Sequence, residues 1–256
     1  MANKIVQEAL NHLTEDLRAT HGDNLASIVL YGSPAAGAQS ELHSDYNLLI
    51  ALHRITPEDL RLSQPPMREW QRLGHALPVY FTVEELRDAA DVFPIEFHQM
   101  AKSRVVLYGQ DPFELVELSD ANLRHQAEYE LRSKLIQLRR LYIPASVSPE
   151  RLIELMRESL SSFAALFRAV LLLHGKEPPV QKADCVRATV QLLGLDAEPF
   201  ERIFELNAKG SMDLTDAEAN ELFAAYMMQI EQVIEAVDES LIVGRVNRQR
   251  VKRKGS

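Results

Sequence analysis

The feature that most constrains the fold is a change of sequence pattern between residues 110 and 120. Before it, short apolar runs of strand length alternate with helical segments, and after Asp120 no segment has a convincing strand pattern. Strands that alternate with helices favour a mixed sheet with helices packed on it. The sequence therefore predicts an α+β (mixed α/β) fold, with a small mixed sheet and helices over residues 1–115 and an all-α helical bundle over residues 116–243.

The first domain is expected to open with a helix over residues 3–20, because its apolar residues recur at helical spacing and Gly22 follows. Two further helix starts are indicated by capping patterns at Thr56 and Thr82. Short apolar runs bounded by turn residues predict five strands, at residues 27–31, 47–52, 77–81, 93–97 and 104–108.

The second domain is expected to contain only helices. Pro and Gly residues separate its amphipathic segments in the positions where helices start and stop. Its single cysteine, Cys185, has no cysteine partner and fits a small core residue. The helices are predicted at residues 120–142, 149–174, 179–193, 197–207 and 216–243.

Charge and composition limit the classes of function. The chain has a formal net charge of −9, but residues 245–254 hold six Lys or Arg and no acid, which leaves −15 for the rest. An acidic body does not attract the phosphate backbone, so nucleic acid is an expected partner only through this basic end, residues 244–256, which is expected to be a disordered tail. A single cysteine excludes an internal disulfide, and no apolar run approaches a membrane span. A cytoplasmic protein without membrane contact is expected, and a homo-oligomer is left open.

The most informative segment reads LYGSPAAGAQSELHSDYNLLI, from residue 30 to residue 50. Gly32 and Ser33 follow an apolar strand, and Ser44, Asp45 and Asn47 stand where the next apolar strand begins. This order resembles the signature of the nucleotidyltransferase superfamily, a Gly-Ser pair followed by Ser-Asp-x-Asp.

The later part of the chain strengthens the resemblance. The segment RVVLYGQDP, at residues 104–112, and the helical domain after it are similar to the arrangement in the antibiotic, kanamycin-type nucleotidyltransferases. The likeness in motif order covers about the first 115 residues and is architectural beyond them. It implies a nucleotide over the sheet and a second substrate in a cleft between the two domains.

The resemblance also implies roles for individual residues. Backbone N–H groups after Gly32 and Ser33 would bind nucleotide phosphates at a helix N-terminus, with Ser44 beside them. Two carboxylates two residues apart on a strand point to one face and can hold a pair of Mg²⁺ ions. In this chain Asp45 and Asn47 occupy those two metal-ligand positions.

Three departures from the pattern point to weakened chemistry. Asn47 is neutral where the second aspartate is expected, and Mg²⁺ prefers anionic oxygen ligands. The predicted strand 77–81 has no carboxylate, and the residues that follow Ser33 include no basic side chain before His43. Only Glu96, on the predicted strand 93–97, offers a replacement carboxylate beside Asp45, and its alternative is an outward-facing residue between two buried neighbours.

Two hypotheses of function follow from the resemblance and its departures. The favoured one is a catalytically impaired nucleotidyltransferase-fold protein that binds a nucleotide, a small molecule or a protein partner at the expected interdomain cleft. The other is an active Mg²⁺-dependent nucleotidyl (adenylyl) transferase that acts on a hydroxyl of a small molecule, with Asp45 and Glu96 as its carboxylates. The second requires Mg²⁺ and ATP or another nucleotide, whereas the first is compatible with no cofactor. A nucleic-acid binder that uses the basic end is a third, weaker alternative.

Overall fold

The computed structural model describes the backbone of residues 2–32, 46–209 and 214–254, and side chains within residues 7–32, 46–114, 116–208 and 214–239. The chain forms two compact units, Met1–Ser119 and Asp120–Ser256. The first contains a four-stranded sheet with helices, and the described part of the second is helical throughout. This division of sheet and helices confirms the predicted fold class.

The first unit contains five helices and four strands in its described part. Three short 3-10 segments, Gly22–Asn24, Ala89–Asp91 and Pro112–Leu115, connect them. In chain order the elements are α1 (Ala2–His21), β1 (Leu25–Tyr31), β2 (Asn47–Leu52), α2 (Pro57–Leu62), α3 (Gln64–Arg72), β3 (Val79–Thr82), α4 (Val83–Asp88), α5 (Pro94–Lys102) and β4 (Arg104–Gly109).

The sheet has the strand order β3-β2-β1-β4. Strand β1 is antiparallel to both of its neighbours, β2 and β4, whereas β2 and β3 are parallel. In β1 and β2 the described side chains are almost all buried, as expected for central strands covered on both faces. The sheet is therefore mixed, with the two shorter pairings at its edges.

Each face of the sheet is covered by helices. Alternate side chains of β2 divide between two apolar clusters, as the two-residue period of a strand requires. Leu48 and Ile50 pack with α1 and α3, which contribute Leu13 and Trp70, and this side is called the α1/α3 face. The opposite side, called the α4/α5 face, contains Val29, Leu49, Ala51, Leu86, Phe97, Met100 and Phe113.

Residues 93–97 were predicted as a strand, and this prediction is wrong. They belong to α5 and the residue before it, because Pro94 occupies the first helical turn, where its missing N–H costs nothing. Pro94, Phe97 and Met100 are buried at helical spacing. The apolar alternation of this short run suits a strand equally well, so the pattern alone did not separate the two structures.

In its described part the second unit contains five helices, and α7 contacts each of the other four. Helix α7 has twelve buried residues, all of them apolar. The helices are α6 (Asp120–Ala145), α7 (Pro149–Leu173), α8 (Lys182–Leu193), α9 (Glu198–Lys209) and α10 (Asp216–Lys254). In the described part of the chain no helix combines the length and the apolar character needed to cross a bilayer.

Helix α10 is longer than the sequence suggested. Among its described side chains, which end at residue 239, the last buried one is Val237, but its backbone remains helical to Lys254. The basic end was expected to be disordered from residue 244, whereas its backbone is helical over most of that range. Arg, Lys and Gln are good helix formers, and positive charge suits a helix C-terminus, which explains why Gly244 does not end the helix.

Candidate functional site

The candidate site lies at the edge of the sheet where β1 ends and β2 begins. Tyr31, the last residue of β1, is paired with Asn47, the first residue of β2. Asn47 precedes Leu49 and Ala51 by two and four residues, so its side chain lies on the α4/α5 face. Tyr31 packs against the same cluster. The strand pairing therefore places the two residues side by side on one face.

Gly32 turns the chain away from β1 immediately beside Asn47. Its φ is +88°, a conformation that favours glycine, and its N–H donates to the carbonyl oxygen of Ser103 at 3.0 Å. A Cβ atom at this position would lie 3.3 Å from Nδ2 of Asn47. The structure thus brings together two of the predicted site residues, Gly32 and Asn47, whereas Ser33, Ser44 and Asp45 lie outside the described residues.

Arg104 extends this arrangement onto a third strand, and sequence analysis did not identify it. It begins β4 and is paired with Tyr31, so Asn47, Tyr31 and Arg104 form one row across three strands. Its guanidinium contacts Asp111 through Nε (2.8 Å to Oδ2) and Nη2 (2.6 Å to Oδ2) and lies over the Phe113 ring. It also donates to the carbonyl oxygen of Ala101. In the sequence, the only indication of this ion pair is that the segment 104–111 begins with a basic residue and ends with an acidic one.

The positive charge of Arg104 is largely neutralised by its ion pair with Asp111. Partial burial acts to raise the pKa of Asp111, but hydrogen bonds from Arg104 and from the Phe113 N–H outweigh burial and lower this pKa below its ordinary value. Asp111 therefore stays ionised beside the guanidinium. Arg104 fixes the start of β4 next to Gly32, and most of its donors are already used within the protein.

Tyr31 is protonated at neutral pH. Burial of its side chain raises the pKa of its hydroxyl above the ordinary value. A raised pKa makes the hydroxyl a weaker acid, so it stays a neutral hydrogen-bonding group. Tyr31 is thus suited to packing and hydrogen bonding at this edge, and it supplies no negative charge.

Glu96 lies on helix α5 and not on a strand, which corrects its predicted location. Its side chain is exposed, while Ile95 and Phe97 on either side are buried. This burial pattern matches the alternative interpretation of Glu96 as an outward-facing residue. The helix does pack on the α4/α5 face, the same face that Asn47 shares.

The described residues at this edge do not make up a magnesium site. Strand β3, which pairs beside β2, reads Val-Tyr-Phe-Thr and so adds no carboxylate. Asn47 contributes one neutral amide oxygen, a weak ligand for Mg²⁺. Within the described ranges, no group of three or more His, Cys, Asp or Glu side chains is arranged to hold a metal ion.

On the α1/α3 face of the same edge, aromatic rings pack against one another, and the sequence analysis did not predict this contact. Tyr46, which precedes β2, meets the His75 ring edge-on, with centroids 5.4 Å apart. His75 in turn lies 4.1 Å from Trp70, whose indole N–H donates to the Ala76 carbonyl oxygen at 2.9 Å. These contacts fix the chain as it enters β2, one residue before Asn47.

Comparison with known proteins supports the fold. No protein-family model matches the chain. No curated protein matches it. Among solved structures it is similar to the crystal structure of spectinomycin adenyltransferase AAD(9) from Enterococcus faecialis with ATP and spectinomycin, with a TM-score of 0.52, 15% sequence identity and coverage of 86% of this chain and 98% of that chain. The chain therefore has a nucleotidyltransferase-like fold, in which a small mixed sheet is followed by a helical unit.

Proposed function

We propose that this chain is a nucleotidyltransferase-fold protein that binds a nucleotide or another small molecule at the β1–β2 edge, and that its transfer chemistry is impaired. The observation that carries the proposal is the position of Asn47. Its amide lies against Gly32, at the point where the chain leaves β1 toward Ser33. A neutral side chain thus stands where metal-assisted phosphoryl chemistry needs an anionic ligand.

The surroundings of Asn47 support impairment rather than compensation. Strand β3 has no carboxylate to offer, and Tyr31 on the other side is neutral. Glu96 is exposed on a helix. Two Mg²⁺ ions at this edge would carry four positive charges, and of the motif positions Gly32, Ser33, Ser44, Asp45 and Asn47 only Asp45 is acidic.

Nucleotide binding can outlast the loss of transfer. Phosphate binding at a turn depends on backbone N–H groups and not on the metal carboxylates. The N–H of Gly32 is already bonded to Ser103, so the donors would come from the residues after it. The similar structure was crystallised with ATP, which supports ATP as the first nucleotide to test.

The second candidate function is an active Mg²⁺-dependent adenylyl transferase that acts on a hydroxyl of a small molecule. The observation in its favour is the similarity to an adenyltransferase structure that holds both ATP and spectinomycin. It requires Asp45 and a second carboxylate to share the metal ions. Glu96 is the candidate, at an exposed position on α5.

The test is calorimetric titration of the purified chain with ATP, with and without Mg²⁺, beside an Asn47→Asp variant. We expect the wild type to bind ATP to a similar extent in Mg²⁺ and in a chelator, and Asn47→Asp to gain Mg²⁺-dependent affinity. Asn11→Asp, an exposed position on α1, adds the same charge elsewhere and serves as the matched control.

Two results would contradict the proposal. Loss of ATP binding in a chelator and in Asp45→Ala, together with pyrophosphate release in the presence of a hydroxyl acceptor, would show that the active transferase is correct. No binding of ATP or of other nucleoside triphosphates by the wild type, with or without Mg²⁺, would remove nucleotide binding from the proposal.

A further inference from the structure

The carbonyl oxygen of Ser103 holds the chain at the point where it leaves β1. It accepts the N–H of Gly32 at 3.0 Å, and Gly32 has a positive φ of +88°. Residue 33 follows directly, and the backbone donors that are proposed to bind phosphate begin there. The position of the Ser103 carbonyl group therefore determines where those donors start.

Ser103 is the single residue between α5, which ends at Lys102, and β4, which begins at Arg104. The Arg104 guanidinium makes contacts on both sides of it. Toward α5 it donates to the carbonyl oxygen of Ala101. Beyond the end of β4 it holds the Asp111 carboxylate, with Nε at 2.8 Å and Nη2 at 2.6 Å from Oδ2. One side chain thus fixes the end of α5 and the segment after β4 around the Ser103 carbonyl group.

The strand pairing adds a second connection to the same point. Arg104 is paired with Tyr31 across β1 and β4, and Gly32 is the next residue after Tyr31. Donors that are held in place before a ligand arrives bind it more tightly, because binding does not have to order them. Contacts that fix the start of β4 therefore also act on the chain that follows Gly32.

We propose that Arg104 and Asp111 are positioning residues for nucleotide binding. Together they hold the Ser103 carbonyl group where it fixes Gly32, and so they set the backbone donors that follow for the phosphates. The inference rests on the proposed function of the β1–β2 edge. In this role neither side chain touches the nucleotide, since all three guanidinium nitrogens already contact Asp111 or Ala101.

The Asp111→Asn variant separates this role from direct attraction of the phosphates by Arg104. Asparagine keeps an oxygen for the Phe113 N–H but loses the charge. Direct attraction would become stronger without the competing carboxylate, and ATP would bind more tightly. In the positioning role the guanidinium loses its ion pair, so the ATP dissociation constant should rise, by about fivefold in a calorimetric titration at pH 7.

Two Arg104 variants give a second comparison in the same titration. Lysine keeps the positive charge but cannot hold Asp111 and the Ala101 carbonyl oxygen together, as the planar guanidinium does. Arg104→Lys and Arg104→Gln should therefore both raise the ATP dissociation constant about tenfold. Binding that Arg104→Lys preserves and Arg104→Gln loses would show that the charge itself is what the nucleotide needs, and would overturn the inference.

Hydrogen exchange of the Gly32 amide, followed by NMR, tests the positioning without any nucleotide. The reference is the amide of Val29, in the middle of β1. Asp111→Asn should speed exchange at Gly32 at least about tenfold more than at Val29, because the Ser103 acceptor is less well held. An unchanged ratio of the two rates would overturn the inference.

The matched control is Thr56→Ala, which removes the cap of α2, beyond the other end of β2. It lowers the stability of the same unit without touching the β1–β2 edge. It should leave the ATP dissociation constant within about twofold of the wild type and speed exchange at both amides alike. Equal weakening of ATP binding by Thr56→Ala would assign the effect to stability and overturn the inference.

The outcomes distinguish this inference from the proposed function. ATP binding by the wild type that Asp111→Asn leaves unchanged or tightens overturns the positioning role alone. Failure of the wild type to bind ATP overturns the proposed nucleotide site, and with it the role of Arg104 and Asp111 in binding. A rise in the dissociation constant together with faster exchange at Gly32 supports both.

Discussion

Arg104 holds the carboxylate of Asp111 with two nitrogens and thereby joins the start of β4 to the turn that follows its end. Both side chains are largely buried, with 25% and 18% of their surfaces exposed. Most surface ion pairs contribute little to the free energy of unfolding. In a partly buried pair, however, removing one partner leaves the other charge unpaired, and this lowers the stability.

The Arg104–Asp111 pair predicts a pH-dependent stability. The pKa of Asp111 is lowered in the folded protein, so its contribution is present above the ordinary carboxyl pKa and is lost as the pH falls through the lowered value. At pH 7, Asp111→Asn should reduce the free energy of unfolding by about 1–3 kcal/mol, since asparagine keeps the cap but not the charge. The difference from wild type should shrink toward pH 3.

This difference is measured by urea unfolding followed through the fluorescence of Trp70, the chain's single tryptophan, which is buried in the first unit. Asp91→Asn, at an exposed position, is the control and should cost little at either pH. A cost of Asp111→Asn that is the same at pH 7 and pH 3 would show that the ion pair is not its source.

Gly109 and Gly74 both have positive φ, but replacing them with alanine is predicted to have very different effects on stability. A Cβ atom at Gly109 would lie 1.9 Å from the carbonyl oxygen of Ala26 on the neighbouring strand, whereas nothing lies within 4 Å of one at Gly74. Gly74→Ala should therefore cost only the backbone strain, about 1–2 kcal/mol. Gly109→Ala should cost about 4 kcal/mol or more, or prevent folding, because backbone atoms must move.

Urea unfolding of the two glycine variants, followed by Trp70 fluorescence, compares them directly. If both alanine variants lose the same free energy of unfolding, the close approach of Gly109 to Ala26 is not what requires glycine there.

Glu128 is the nearer of two carboxylate partners of a buried charge, since Asp238 lies 3.8 Å from Arg124, and removing its charge is predicted to have a large cost. Its carboxylate contacts Arg124 at 2.7 Å, and the Arg124 side chain is only 5% exposed. Hydrogen bonds from Arg132 and Arg124 outweigh partial burial and lower the pKa of Glu128, so it is ionised at neutral pH. Glu128→Gln should lower the free energy of unfolding by about 3 kcal/mol, measured by far-ultraviolet circular dichroism in urea.

The matched control for Glu128 is the exposed pair of Glu58 and Arg61, whose side chains are 56% and 76% exposed. Glu58→Gln should change the free energy of unfolding by less than about 1 kcal/mol. A neutral result for Glu128→Gln would mean that Arg124 reaches solvent or another partner when Glu128 is removed.

We predict that the thiol of Cys185 reacts slowly in the folded protein. The residue is fully buried, its Sγ donates to the Pro179 carbonyl oxygen at 2.9 Å, and burial raises the pKa of the thiol. Both effects reduce the reactive thiolate at a given pH. Reaction with a chromogenic disulfide reagent at pH 8 should be at least about 100-fold slower in the native chain than in guanidinium.

The control for this reaction carries the thiol at an exposed position, as Ser162→Cys combined with Cys185→Ser. It should react at nearly the same rate with and without guanidinium. Rapid labelling of Cys185 in native buffer would be the contrary result.

Much of the fold follows from local sequence signals. The capping boxes at Thr56 and Thr82 start their helices as predicted, because each threonine accepts from the backbone three residues on. The strand that ends at Tyr31 and the one that begins at Asn47 were also predicted, since buried central strands read as apolar runs. The prediction for residues 93–97 was wrong because a short alternating run suits a strand or a helix equally.

The candidate site was predictable only in part. The motif placed Gly32 directly after one strand and Asn47 at the start of the next, and antiparallel pairing of the two strands then makes them neighbours. Arg104 and its pairing with Tyr31 depend on which strand adds to the far side of β1, and that is a long-range choice. The aromatic contact of Tyr46 with His75 depends likewise on how α3 packs, so no local pattern predicts it.

The pairing of Tyr31 with Asn47 has a consequence for how such a chain can change over evolutionary time. Because these two residues are paired, the ends of β1 and β2 lie at adjacent backbone positions. The entropy cost of closing a loop between two such points rises only slowly with its length, by about 0.6 kcal/mol for each doubling. A change in the number of residues between two such paired strand ends therefore costs little closure entropy and leaves the register of the four strands unchanged. A fold of this kind can lose one chemical activity and acquire another while its sheet stays the same.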